Sequence, residues 1–427
     1  MTITHEFFDA SYNEYSKTIN KKSYSHGSDN YEIHNYDKAY VTDNDFDKIG
    51  KYRSVTTDCK NIVALAPIKS VSYDCFKSDN FDLESNYSVT ANEVVEGTMI
   101  NLFYSQASNS WEIATKSAVG GRYWYFRTQY EGTGDYTKQL TFRQMFIEAL
   151  GENKDTELND ATALKHMDKG FIYSFVLQHP LNHIVLTIQQ PTLYLVNGFK
   201  VDHETNIVTQ YNPQEIKENA FQHDTVGTIP ILLPREIDIS GKTMDEIGVM
   251  ANEHTVGIMV HNASTGQRVK LMNGAYERLK DIRGNNPNIH YHYLSLFASG
   301  KVEEFLGEFP VYKRLFYKFY RQSYDFIKEI HDAYVSYYVK KMGKSVRINK
   351  SIFTHIYTLH NTYYVPTVDS ETPTIVTREV VAKYYNAMSP KEKLYHVSYR
   401  TREYKKTIDN EDKVSDSSND HIITATY

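Results

Sequence analysis

Cysteine is nearly absent: Cys59 and Cys75 are the only two in 427 residues. That excludes a disulfide scaffold and a cysteine-based zinc set, and it fits two free, partly buried thiols in a reducing compartment. Long apolar runs are missing as well. No segment approaches the ~20 residues a membrane span needs, and MTITHEFFDASYNEYSK lacks the apolar run of a signal peptide. The expectation is a soluble intracellular protein that inserts in no membrane. Positive charge is not in excess: 47 Lys and Arg against 53 Asp and Glu give a net −6. No global field draws the chain to nucleic acid, so any such binding must come from a local patch. No internal repeat is visible.

Hydrophobic residues make up 41% and charged residues 23%, the balance of a globular protein, and 427 residues suggest two domains, each with its own core. Tyrosine is over-used, with 36 against 20 phenylalanines. So many rings with a polar tip imply many half-buried aromatic positions.

Residues 1–48 are polar and weakly periodic, and predict an irregular arm ordered against a partner. From about Lys51 to Asn262, YRSVTTD, NIVALAPI, EGTMINLFY, WEIATKS, FIYSFVLQ, HIVLTI, TLYLVNGF and VGIMVHN read as strands. LTFRQMFIEALG and TMDEIGVMANE read as helices, the latter with Ser240 as N-cap. This predicts an α+β domain on antiparallel sheets over 49–280. The texture changes between 275 and 295. RLKDIRGNNPN ends a helix at Gly284, with Pro287 preventing continuation. The run from Glu303 to Gly343 has apolar residues at helical spacing and ends at Lys340, Lys341, Gly343 and Lys344. Helices follow around SIFTHIYTLHNTYY and TREVVAKYYNAM, giving an all-helical domain over 281–403 and a mobile polar tail over 404–427.

One constellation points to chemistry. VVEGT places a carboxylate, a glycine and a hydroxyl, Glu96, Gly97 and Thr98, at the start of a strand. ATKSAVGG follows with Lys116, then YSFVLQHPLNHIV, VGIMV and the VKLM of Val269–Met272. In this order, with Arg53 and Lys69 upstream, these stretches resemble the motifs of the covalent nucleotidyltransferases, most of all the phage-type tRNA-repair RNA ligases. The resemblance covers about residues 50–280 and implies an ATP-dependent ligase-like fold followed by a specificity domain. It also implies a lysine nucleophile two residues before Glu96, where Val94 stands. The implied carboxylate positions hold Ser174 and Val256, and the second lysine of a Lys-x-Lys pair falls on Met272, with Tyr276 following. A lysine amine activated by cationic neighbours attacks phosphorus in such enzymes; valine cannot, and magnesium prefers the oxygen ligands that are missing. The expectation is therefore a degenerate active site, with no catalytic residue, cofactor or metal.

An active RNA ligase using ATP, magnesium and a displaced lysine, Lys116 or Lys69, is the alternative, and a nucleotide- or RNA-binding module without chemistry is a third. Arg53, Glu96, Gly97, Thr98, Lys116 and Lys270 are the nucleotide-binding candidates; the bland alternatives are a tight backbone approach at Gly97 and ordinary surface ion pairs. Between Lys270 and Lys350 there are 15 Lys and Arg against 8 Asp and Glu. There, Lys313, Arg314, Lys318 and Arg321 interleave with tyrosines, as an RNA surface or as the solvated face of a helix. His290 and His292 fall in an apparent strand, on one face, with no third ligand for a metal. His179 and His183 flank a turn. The ligase resemblance suggests a viral protein in the host cytoplasm or in a virion, partnered by other proteins of an assembly and by RNA or DNA.

Overall fold

The computed structural model describes residues 3–10, 12–26, 29–42, 45–58, 61–81, 88–123, 140–221, 230–342, 345 and 347–400. Cys59, Gly343, Lys344 and the tail from 404 lie outside them. Two compact units meet in sequence at Asn285/Asn286.

The first unit begins with β1 (Ile3–Glu6), α1 (Tyr12–Tyr15), β2 (Ile19–His26), β3 (Asp29–Tyr36), β4 (Val55–Thr57), β5 (Ile62–Leu65) and α2 (Tyr73–Asn80). It continues through β6 (Val89–Glu93), β7 (Thr98–Ser105), β8 (Ser110–Ala114), α3 (Phe142–Ala149), β9 (Ile172–Gln178), β10 (Thr192–Asp202), β11 (Ile207–Tyr211) and α4 (Pro213–Ala220). β12 (Ile231–Leu232), α5 (Met244–Met250), β13 (Gly257–Asn262), β14 (Arg268–Met272) and α6 (Gly274–Arg283) complete it. The strands form three sheets: β1-β11-β10-β9-β7-β8 with β12 beside β10, then β14-β13-β6, then β2-β3-β4-β5. All pairings between these strands are antiparallel except β10 with β12. The α+β, antiparallel-sheet expectation holds.

The large sheet is covered on both faces, which explains why β9 is buried along nearly its whole length. Ile100, Leu102, Tyr173, Phe175 and Leu177 pack with α3 residues Phe142, Met145 and Phe146 on one side. Phe103, Ile172, Phe199 and Val208 pack with Tyr31, Ile33 and Val55 of the four-stranded sheet on the other. The three-stranded sheet has its own core, in which Ile258, Val260, Val269 and Leu271 meet Phe76 of α2 and Ile247 of α5.

Several expectations need correction. Residues 1–48 are not an irregular arm: β2 and β3 form a fully registered hairpin, and β1 adds to the large sheet. The reason lies in the tyrosines. Tyr31 and Ile33 alternate inward and are buried, while the polar residues between them face outward, so a half-buried strand looks polar. HIVLTI is not a strand, because its backbone amides serve another purpose described below. The helix at TMDEIGVMANE starts from Thr243, not Ser240. Thr243 caps Glu246 N–H and the Glu246 carboxylate answers to Thr243 N–H, a reciprocal box that Ser240 cannot make.

The second unit is helical: α7 (Ile289–Ala298), α8 (Val302–Glu308), α9 (Lys313–Tyr334), α10 (Lys350–Leu359), α11 (Arg378–Asn386) and α12 (Pro390–Val397). Pro310 divides the expected single run into α8 and α9. Phe326, Ile330 and Tyr334 of α9 pack on Ile352, Ile356 and Val381. The aromatic stretch YHYLSLF is helix and not strand, launched by Asn288, whose side chain accepts from Tyr291 N–H. His290 and His292 therefore point in different directions on α7. His290 is buried and stacks on Phe319 at 4.1 Å, and His292 meets Phe305 edge-on. No cluster of three or more metal-ligating side chains occurs among the described residues, and no described helix is long and apolar enough to cross a membrane.

Candidate functional site

β14, β13 and β6 lie side by side, and alternation sorts their residues between two faces. Ala91, Ile258, Val260, Val269 and Leu271 fill the core beneath. On the other face two rows cross the sheet: Arg268–His261–Thr90 and Lys270–Met259–Asn92. These six residues line a cavity of about 920 Å³ together with Arg53, Val94, Val95, Met99, Val176 and Asn197. The cleft behind VVEGT is thus open, and one wall carries three cations.

Those cations are held in place. Arg268 is buried and donates from Nε to the Ile68 carbonyl at 2.7 Å and from a terminal nitrogen to the Pro67 carbonyl at 3.0 Å. Arg53 donates to the same Pro67 carbonyl at 3.3 Å. Lys270 keeps solvent contact through the open cavity. Even so, desolvation, and then repulsion from Arg53, Arg268 and Lys280, push its ammonium down to about 7. Such a wall favours an anion, whose charge would relieve the mutual repulsion. Four carboxylates, Glu93, Glu215, Glu236 and Asp238, line the same cavity, and Glu93 lies 3.7 Å from Arg235.

The resemblance set the family's Lys-x-Lys pair on Lys270 and Met272, so that one of its two cations is lost. Alternation instead pairs Lys270 with Arg268, and Met272 lies opposite Gly257, away from the cavity lining. Arg268 was missed, although the polar–apolar alternation in RVKLM carries the signal. Val94 lines the cavity and its N–H donates to the Gly257 carbonyl at 2.9 Å. Lys270 is two strands away from this end of β6, a backbone separation on the order of 10 Å. Val256 is buried and does not line the cavity. Ser174 is fully buried between Asn101 and Asn197 in register, donating to the Leu65 carbonyl at 3.2 Å or to Asn101 Oδ1 at 2.8 Å.

Glu96 does not line the cavity. Its buried carboxylate accepts from the N–H groups of Ile184 at 2.8 Å, Val185 at 3.0 Å and Leu186 at 3.2 Å, and from the Tyr276 hydroxyl at 2.8 Å. This is why HIVLTI forms no ladder: three successive amides turn inward to one anion. Gly97 is required by the backbone, since a Cβ there would sit 2.4 Å from the Leu177 carbonyl oxygen. Thr98 Oγ1 accepts from Asn182 Nδ2 at 2.8 Å. Glu96, Gly97 and Thr98 thus form a fixed joint, and the tight backbone approach is the reading that fits.

Lys116 is exposed and outside the cavity lining, and Lys69 donates to the Ser70 carbonyl at 3.2 Å. Burial, then Lys38 and Arg53, lower the Lys116 ammonium. His179 takes part in its turn as expected, accepting from Leu181 N–H at 3.1 Å and meeting Glu148 at 2.9 Å. In the helical unit, Lys313, Arg314 and Arg321 are exposed at the start of α9, while Lys318 is half-buried.

No family model matches the chain. A curated relative, the immediate-early protein ICP-46 homolog of Invertebrate iridescent virus 6, is 21% identical over 266 residues, covering 61% of this chain. The chain spans about half the length of that relative, 55%. Among solved structures, an archaeal ATP-dependent RNA ligase is similar at a TM-score of 0.34 and 9% identity, covering 69% of this chain and 67% of the ligase. An RNA ligase of Naegleria gruberi with AMP and Mn is similar at a TM-score of 0.31 and 10% identity, covering 65% and 84%.

Proposed function

We propose that the first unit is an RNA-ligase-like nucleotidyltransferase fold that no longer adenylates itself. It works as a non-catalytic component that binds a phosphorylated ligand, a nucleotide or a nucleic-acid end, in a viral assembly. The observation that carries this reading is the open cleft whose wall holds Arg53, Arg268 and Lys270 while Val94 occupies the position of the expected nucleophile. Cations without a carboxylate partner at Ser174 or Val256 suit the binding of phosphate better than metal-assisted chemistry on it. The viral setting rests on the source of the curated relative. Neither a cofactor nor a metal is part of this reading, and its partners are nucleic acid and other proteins of the assembly.

Incubation with α-labelled ATP or GTP and magnesium or manganese, followed by a denaturing gel, should leave the protein unlabelled. ATP should nevertheless raise its melting temperature, because a ligand of the native state stabilises it by mass action. The absence of any shift with ATP, GTP or inorganic phosphate sinks the binding half; a covalent adduct sinks the non-catalytic half. A second reading has one observation in its favour: Lys270, lowered to about 7 by cationic neighbours, faces the same cavity as Val94. It predicts a labelled adduct that Lys270→Arg removes and Lys116→Arg does not.

A further inference from the structure

The helical unit has a cavity of its own, about 350 Å³ and walled mainly by apolar surface. Its back is formed by buried rings, Tyr293 and Tyr385, and its mouth by Phe297, Tyr320 and Tyr324, which are 42%, 49% and 36% exposed. Arg378 stands at the rim and donates to the Tyr324 hydroxyl at 3.5 Å. Large rings left this exposed around a cavity mark a site that binds something.

The mouth belongs to a longer pattern. Phe316, Phe319, Phe326 and Ile330 bury one face of α9. The exposed side presents Lys313, Tyr317, Tyr320, Arg321, Tyr324 and Lys328 in a stripe along the helix, at steps of three and four apart from the adjacent Tyr320 and Arg321. Cations and rings are interleaved along this stripe. Tyr317 and Tyr320 lie 6.4 Å apart, and the Arg321 guanidinium sits over the Tyr324 ring at 5.4 Å. Phosphates spaced along a strand meet such cations, and bases meet such rings. A duplex must first be unstacked and unpaired to offer a base to a walled cavity, at a cost of a few kcal/mol, so a single strand is the favoured ligand.

We propose that this cavity takes a nucleobase of single-stranded nucleic acid, stacked against Tyr320 and Tyr324, with its phosphate at Arg378 and the flanking backbone along the α9 cations. The site lies wholly within the helical unit, so it stands or falls apart from the cleft of the first unit.

The test uses the full chain and fluorescence anisotropy at low salt, with a labelled oligo-U RNA, the matching oligo-dT DNA, an abasic deoxyribose oligomer of equal length, and a duplex. The base-bearing single strands should bind on the order of 10-fold more tightly than the abasic oligomer and the duplex, the span expected of base–aromatic stacking. Which of RNA and DNA binds better identifies the source. Tyr320→Ala with Tyr324→Ala should bring the base-bearing strands down to the abasic level. Tyr324→Phe should retain the preference, and Arg378→Gln should weaken all oligomers while lowering the salt slope by about one. The tyrosines are exposed, so an unchanged melting temperature checks that the variants fold. Equal binding of the abasic oligomer, survival of the base preference in the double alanine variant, or no binding at low salt overturns the proposal.

Discussion

At Glu96 a single carboxylate collects amides from residues 88 to 90 positions away in sequence and a hydroxyl 180 positions away. Removing it leaves those half-buried amides and the buried Tyr276 hydroxyl without this partner, which costs about 1–3 kcal/mol for each that water cannot reach. Glu96→Ala should therefore lower the unfolding free energy by about 3 kcal/mol in urea titration, and Tyr276→Phe by about 1 kcal/mol. Alanine at Gly97 belongs with them, because its Cβ meets backbone and not a yielding side chain. Lys270 is the residue with a pH signature. Below about 7 its ammonium adds to Arg53 and Arg268; above it the amine is neutral. Phosphate or ATP affinity should fall as pH rises from about 6 to about 8.5, and Lys270→Met should flatten that profile while keeping the binding due to the two arginines. For stability the sign is opposite to that of an ion-paired lysine. An unfolded lysine titrates near 10.4, so between about 7 and about 10.4 the unfolded chain holds more protons, and the Lys270 contribution to stability rises with pH.

Elements show where residue patterns spoke clearly and where they did not. β7, β8, β9 and β13 were legible because their β-branched and aromatic runs are bounded by turn residues, and α3 because Thr141 caps it. β2 and β3 were not, since Tyr31 serves as an inward residue and hydropathy counts tyrosine as polar, as it does His34, which is buried on the other face. α7 misled in the opposite direction: its rings favour strand, and only Asn288 announces a helix. The position of the cleft was legible through Val94 and Lys270. Arg268 could be read from the alternation in RVKLM, but its place in a row with His261 and Thr90 comes only from the register of β14 and β6 against β13. That register also fixes Gly257, whose φ is 141° and whose Cβ would fall 2.8 Å from the Met272 Cα. Gly257→Ala should cost about 2 kcal/mol, read from the shift of the urea midpoint.

Across the whole molecule, two chemistries are kept in separate units. The first unit offers cations in a half-polar cleft, and the second offers rings and cations around an apolar one. No local motif announces the second cavity, because its walls come from α7, α9 and α11, far apart in the chain. The hairpin β2–β3 has a practical corollary for anyone shortening the protein. It is a load-sharing wall of the first unit, since Tyr31 and Ile33 close the face of the large sheet that carries Phe103, Ile172 and Phe199. A fragment beginning at residue 49 would bare that greasy face to water and should be recovered as aggregates, whereas Phe175→Ala, at about 3–5 kcal/mol, should weaken the whole unit without uncovering it. The stretch that looked most like a detachable handle is the one the first unit cannot shed.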